Sequence, residues 1–245
     1  MRFFYISFLL TLNLQAAPLI GVHFGNNGSA PLNWNLVDSA PEFASSTNLI
    51  DETGAITGVN LSNSTTGTLA FFTVVAPNAA TLPSHTTSLA SLAGNTYDSA
   101  FSTGLLTSTF SGLTANAAYN VWVVGIRGGA TALGQAITIT GSGAPIALAQ
   151  NAAANNYVVN GLLGSSANSF ASYAIQVMSS ATGTITIDTQ AAGATTYTVS
   201  ALAIQSVDAP ELDGAQAVPP LLWTVALLLA GVSRRSRIKP QDILV

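Results

Sequence analysis

The chain has 245 residues, 49% hydrophobic and only 7% charged, with a formal net charge of −4; that is enough apolar material for a core and too little charge for a disordered polymer. It has no cysteine, which excludes a disulfide framework, a thiolate nucleophile and Cys-based zinc or iron–sulfur sites. Between residues 17 and 213 nine acids stand against a single base, Arg127, so the centre lacks the lysines and arginines that displace counterions from phosphates, and nucleic-acid binding is excluded.

At the N-terminus, Met1 and Arg2 precede an apolar run over residues 3–14 that is too short for a lasting membrane span. A charged start, an apolar stretch and small residues at the end predict a signal peptide over 1–16. Cleavage between Ala16 and Ala17 is expected, because a cut after Ala17 would leave Pro18, with its fixed φ and no N–H, beside the scissile bond. The alternative is an uncleaved N-terminal anchor.

From residue 17 to 207 the apolar residues fall in short runs separated by Gly, Asn, Ser, Thr or Pro, with no sustained helical period. Strands are predicted at 19–24, 59–61, 69–75, 105–110, 119–126, 135–140, 146–149, 157–159, 173–178, 182–188 and 197–205. Their number and spacing predict an all-β fold, a single β-sandwich or jelly roll. Thr184, Thr186 and Asp188 alternate with Ile185 and Ile187, predicting a sheet with one wet face. Residues 119–126 are apolar on both faces and predict a central strand.

A linker over 208–218 follows, containing Pro210 and Glu211, and then an apolar helix over 219–233 opened by Val218, Pro219 and Pro220. From 219 to 232 such a helix spans about 21 Å, short of the roughly 30 Å of a bilayer core, and snorkelling arginines or local thinning make up the difference. Arg234, Arg235, Arg237 and Lys239 come next. By the positive-inside rule this transmembrane reading puts the basic tail, 234–245, in the cytoplasm and the acidic region outside; a buried core helix is the alternative.

A short proline- and acid-containing motif, an apolar helix and an arginine cluster together resemble the PEP-CTERM type of bacterial surface-protein sorting tail, which exosortase-like membrane enzymes handle. The chain departs from that pattern in lacking Pro-Glu-Pro and in running eight residues past Arg237. The stretches Ile20-Gly21-Val22-His23-Phe24-Gly25, Leu49-Ile50-Asp51-Glu52-Thr53-Gly54, Gly112-Leu113-Thr114, Tyr119-Asn120-Val121-Trp122 and Ala201-Leu202-Ala203-Ile204 resemble exported bacterial β-sandwiches, including galactose-binding-like jelly rolls. That resemblance implies the fold rather than an activity.

Chemistry-bearing residues are sparse. His23 and His85 share no ligand or catalytic spacing and are expected to be structural or solvated. Gly-x-Ser-x-Gly, His-Glu-x-x-His and Walker-type loops are missing. Asp51-Glu52, just before Gly54, reads first as a turn, and otherwise as part of a calcium loop or an acid/base pair. Trp34, between Asn33 and Asn35, is the candidate ligand-binding residue, either an exposed platform for a sugar ring or a packing residue; Trp122 belongs to the core. The expectation is a non-enzymatic exported cell-surface or matrix protein without metal or cofactor, held at the inner membrane at least transiently. Its expected partners are the membrane, the export machinery, a sorting protease and surface polysaccharide. A carbohydrate-binding module acting on that polysaccharide is the alternative, and a glycan-active enzyme a third.

Overall fold

A computed structural model describes residues 17–25, 30–37, 45–67, 70–72, 77–93, 96–98, 104–127, 133–193 and 197–207, the side chains at 70–72, 93 and 96–98 excepted. The predicted signal peptide, linker, transmembrane helix and basic tail lie outside the described residues. Among those described, no helix is long and apolar enough to cross a membrane.

The described secondary structure is all β apart from three short 3₁₀ turns, Ala79–Thr81, Leu89–Ala93 and Phe170–Tyr173. The strands are β1 (Ile20–Phe24), β2 (Asn35–Val37), β3 (Ser45–Ser46), β4 (Asn60–Thr65), β5 (Ala70–Phe72), β6 (Thr96–Asp98), β7 (Leu105–Ser111) and β8 (Ala118–Ile126). They continue with β9 (Leu133–Thr140), β10 (Ile146–Ala152), β11 (Tyr157–Val159), β12 (Leu162–Leu163), β13 (Ile175–Met178), β14 (Ile185–Ala191), β15 (Thr198–Val199) and β16 (Ala201–Ser206). The first sheet runs β12-β11-β8-β16-β1-β2, with β13 also paired to β8; the second runs β10-β9-β14-β7-β4-β3; β15, β6 and β5 form a small third. Within the two large sheets every pairing is antiparallel except β1 with β2.

The two large sheets pack face to face as a β-sandwich. Val22, Val121, Val123, Leu202 and Ile204 of the first sheet share one core with Leu61, Leu106, Phe110, Ile137, Ile139, Ile185 and Ile187 of the second. Alternation along β7, β9 and β14 sends every second residue into that core and leaves Thr107, Thr109, Thr138, Thr140, Thr186 and Asp188 half-exposed on the other side, which is the predicted wet face.

The centre of the first sheet is buried on both sides. Its outer face carries Trp122, Val124, Ile126, Tyr157, Val159, Ala201 and Ala203, covered by a second apolar layer that includes Trp34, Leu89, Leu92 and Phe170. The central strand is β8, apolar on both faces as the sequence predicts: β16 pairs along one edge, while β11 and β13 share the other. Trp122 sits in this outer layer, 1% exposed, stacked on Phe170 with centroids 5.2 Å apart, its Nε1 donating to Phe170 O at 3.0 Å.

Several boundaries differ from the sequence reading for local reasons. The strand predicted at 197–205 is interrupted at Ser200. Here Ile126 N–H donates to the Ser200 hydroxyl at 3.1 Å, while Ser200 N–H donates to Val124 O at 2.8 Å. Tyr173 closes a 3₁₀ turn rather than opening a strand, and β13 begins at Ile175. The strand predicted from 182 starts at Ile185, because Gly183 turns at a φ of 67° and the Ser180 hydroxyl accepts from the N–H groups of Thr182 and Thr184. The pairs and triplets β2, β3, β6 and β12 were not predicted; they are too short to show a period.

Candidate functional site

Three loops that are distant in sequence meet at one end of the sandwich, and Glu52 joins them. Asp51 organises its own loop first: Oδ1 accepts from Thr53 N–H at 2.8 Å, Thr53 Oγ1 at 2.6 Å and Ala55 N–H at 3.1 Å. An aspartate whose carboxylate captures the next backbone amides makes the turn predicted at Asp51-Glu52. The turn brings the neighbouring Glu52 side chain to the chain that enters β1.

Glu52 and Leu19 hold each other reciprocally. Leu19 N–H donates to Glu52 Oε1 at 3.0 Å, and Glu52 N–H donates to Leu19 O at 2.8 Å. The second carboxylate oxygen, Oε2, accepts from Thr86 Oγ1 at 3.1 Å and lies 3.2 Å from His85 Nε2. That approach is within ion-pair range but off the hydrogen-bond direction, since Nε2 makes no hydrogen bond. The His85 loop is held through Ser84, which donates from its N–H to Asn168 O and accepts from Phe170 N–H at 2.8 Å. His85 rests edge-on against Phe170, centroids 5.5 Å apart.

The third loop carries Leu32, Asn33 and Trp34. Asn33, at a φ of 60° that asparagine tolerates better than most residues, donates from Nδ2 to Glu52 O at 3.0 Å. The next asparagine, Asn35, fixes the loop's exit: it donates to Gly21 O and Ile50 O and accepts from Ile50 N–H, at 2.8–2.9 Å. Trp34 itself is 5% exposed and belongs to the outer apolar layer. A Cβ on Gly21 would fall inside the Trp34 indole, so the ring lies directly on the β1 backbone. Of the two readings of Trp34, packing is the one its geometry fits; the ring presents no open face for a sugar.

The resulting patch combines a carboxylate with a half-buried imidazole, a hydroxyl and an amide. Leu32 and Ile56, 76% and 74% exposed, stand on two of the same loops. Burial lowers the His85 pKa below its ordinary value, opposed by the charge and hydrogen-bonding capacity of Glu52, which favours the neutral imidazole. The carboxylate, hydroxyl and amide of this patch already hydrogen-bond within the protein, so a polyhydroxyl ligand would use their remaining capacity, with the two aliphatic side chains to cover its C–H surface.

The other flagged residues fall elsewhere. His23 lies fully buried on β1, and Asp188 on the wet face accepts from Thr107 Oγ1 at 2.6 Å. Among the described residues no group of three His, Asp or Glu side chains could hold a metal ion. Ala17 is the first described residue; Ala16 and the sorting-motif and topology residues Pro210, Glu211, Val218, Pro219, Pro220, Arg234, Arg235 and Arg237 lie outside. Asn33 entered the sequence reading only as a neighbour of Trp34, and Thr86, next to His85, was not singled out.

No protein-family model and no curated protein matches the chain. Among solved structures it is similar to a family 35 carbohydrate-binding module from Clostridium thermocellum, at 10% identity and a TM-score of 0.31 over 58% of this chain and 97% of the module. It is similar too to the CBM35 from Cellvibrio japonicus Abf62, at 12% identity and a TM-score of 0.32 over 59% of this chain and 91% of that one. An exo-β-1,3-galactanase from Phanerochaete chrysosporium, solved with galactose, matches at 10% identity and a TM-score of 0.33 over 65% of this chain. The chain spans about a third of the galactanase, 32%.

Proposed function

We propose that the chain is an exported, non-catalytic glycan-binding protein of galactose-binding-like jelly-roll type, taking the hydroxyl groups of a surface polysaccharide at the Glu52 patch. The observation that carries this reading is the convergence of Glu52, His85, Thr86 and Asn33 from three loops, beside exposed Leu32 and Ile56. Sugar hydroxyls donate and accept together. A carboxylate, an amide and a neutral imidazole satisfy both directions, while aliphatic side chains cover the C–H faces. The non-catalytic part is supported by Asp51, whose Oδ1 is engaged within its own turn instead of facing Glu52 across a cleft, as paired-carboxylate glycoside hydrolysis requires.

Binding of the full-length protein to a glycan array tests the reading. Glu52→Gln and His85→Ala are expected to abolish or weaken retention at least tenfold, with a folded far-UV spectrum. Unchanged binding by both variants would move the ligand site away from this patch.

The export part rests on the sequence: a signal peptide over 1–16 and a sorting tail whose apolar helix over 219–233 anchors the protein in the inner membrane until a sorting protease acts on it. Mass spectrometry of the mature protein is expected to find Ala17 at the N-terminus, and fractionation to find it at the cell surface. An intact chain in the cytoplasm would remove this part and leave the glycan reading to its own test.

A further inference from the structure

The inner face of the second sheet is apolar along most of its length and then changes character at one end. Along β9, Ile137 and Ile139 give way to Gln135; along β14, Ile185 and Ile187 give way to Thr189; along β10, Leu148 gives way to Gln150. Gln135, Gln150 and Thr189 are 2%, 1% and 1% exposed, and Thr198 of β15, also 1% exposed, closes over them. Polar side chains this deep in a sandwich need hydrogen-bond partners.

Register brings the four together. Gln150 and Gln135 are directly opposite on neighbouring strands, and Thr189, opposite Ile137, is the diagonal neighbour of Gln135. Thr198 N–H donates to Gln135 Oε1 at 3.1 Å. Gln150 Nε2 reaches toward β8, where a Cβ on Gly125 would lie 2.6 Å from it and 3.6 Å from Thr198 Oγ1. Glycine inside a strand marks such a close approach.

The orientation of both amides is fixed by what they cap. Gln135 Oε1 takes Thr198 N–H and Gln150 Oε1 takes Gly161 N–H at 2.9 Å, so flipping either amide would set two N–H groups against each other. The groups that remain are Gln135 Nε2, Gln150 Nε2, Thr189 Oγ1 and Thr198 Oγ1, and none of the four has a hydrogen-bond partner among the described residues. Two are donors only; two are hydroxyls that can turn either way.

We propose that Gln135, Gln150, Thr189 and Thr198 form an internal binding site for one small hydrogen-bond acceptor, a water oxygen or a halide ion, held where the inner face of the second sheet turns polar. A water accepts from the two amides and donates to the two threonines, satisfying all four groups with its own four hydrogen bonds. A halide accepts from all four, the hydroxyl protons turned inward. The site is separate from the Glu52 patch and takes a different ligand, so neither depends on the other.

A crystal structure of the protein grown in sodium bromide tests the assignment. A peak within hydrogen-bond reach of Gln135 Nε2 and Gln150 Nε2 upholds the site; anomalous signal makes the occupant halide, and its absence makes it water. An empty centre, with the four side chains bonded to one another, overturns the proposal. Thermal unfolding of Thr189→Val and Thr198→Val gives an independent readout. If each hydroxyl bonds a bound atom, removing it lowers the unfolding midpoint by about 2–4 °C. If each is merely an unsatisfied buried group, the isosteric valine raises the midpoint, and the site falls.

Discussion

Two residues show how single side chains are committed at the loop end. Gly21 leaves room for the Trp34 indole against the β1 backbone, so Gly21→Ala forces the ring outward. The expected loss is ~1–3 kcal/mol in urea unfolding, the usual penalty for overpacking a filled core. His85 sets a pH dependence. Its folded-state pKa is lowered by burial, against the opposing pull of Glu52, so the unfolded chain binds the proton more readily. Stability from this group is therefore complete above the ordinary histidine value of 6.5 and declines as pH falls through it toward the lower folded-state value. In His85→Gln the loss of stability between pH 7 and pH 5 should be smaller than in the wild type, measured by denaturant midpoints at each pH. An identical slope would mean that His85 titrates alike in both states.

Among the elements, β8 holds the first sheet together, and the gap along one of its edges is filled by a side chain. β11 pairs with Val124 to Ile126 and β13 with Ala118 to Val121. Between the two, Asn160 at a φ of 50° accepts from Val123 N–H at 2.8 Å and donates to Val121 O and Tyr173 O, both at 2.8 Å. One asparagine thus serves as the missing piece of strand. Asn160→Ala leaves buried backbone groups unpaired and should cost ~2–4 kcal/mol. Asn160→Asp keeps an acceptor for Val123 but sets a carboxylate against two carbonyls, and should be no better than alanine in the same denaturation assay.

At this scale the limits of the sequence reading have physical causes. Strands such as β7, β9 and β14 were legible because alternation over seven or eight residues cannot arise from a helix, and β8 because both its faces are apolar. The break at Ser200 and the role of Asn160 were not, since a hydroxyl or amide standing in for backbone is decided by a partner far along the chain. The Glu52 patch was half visible: Asp51-Glu52 read as a turn and Trp34 as the candidate ligand residue, while His85 was expected to be structural or solvated. That these would meet depended on loops placed by the sheets, and Trp34 turned inward because Gly21 lay beneath it.

For the molecule as a whole, the order in which the strands are strung governs how the sandwich closes. Among the described strands β1 pairs with β16 and β2, Ile20 standing opposite Ile204. A chain ending after residue 199 lacks β16 and leaves β1 and β8 without the strand between them. It is expected to give no cooperative thermal transition, measured by circular dichroism, where the full chain gives one; a sharp transition in the shortened chain would show that the second sheet is sufficient alone.

The same pairing has a consequence in time. As the polypeptide emerges from a ribosome, or threads N-terminus first through a narrow pore, Ile20 has no register until Ile204 has followed it. Until then the first sheet cannot be completed, since β1 and β8 lack the strand between them, and their valines and isoleucines remain available to chaperones. A fold that postpones its own closure in this way stays pliable until the last strand has been made.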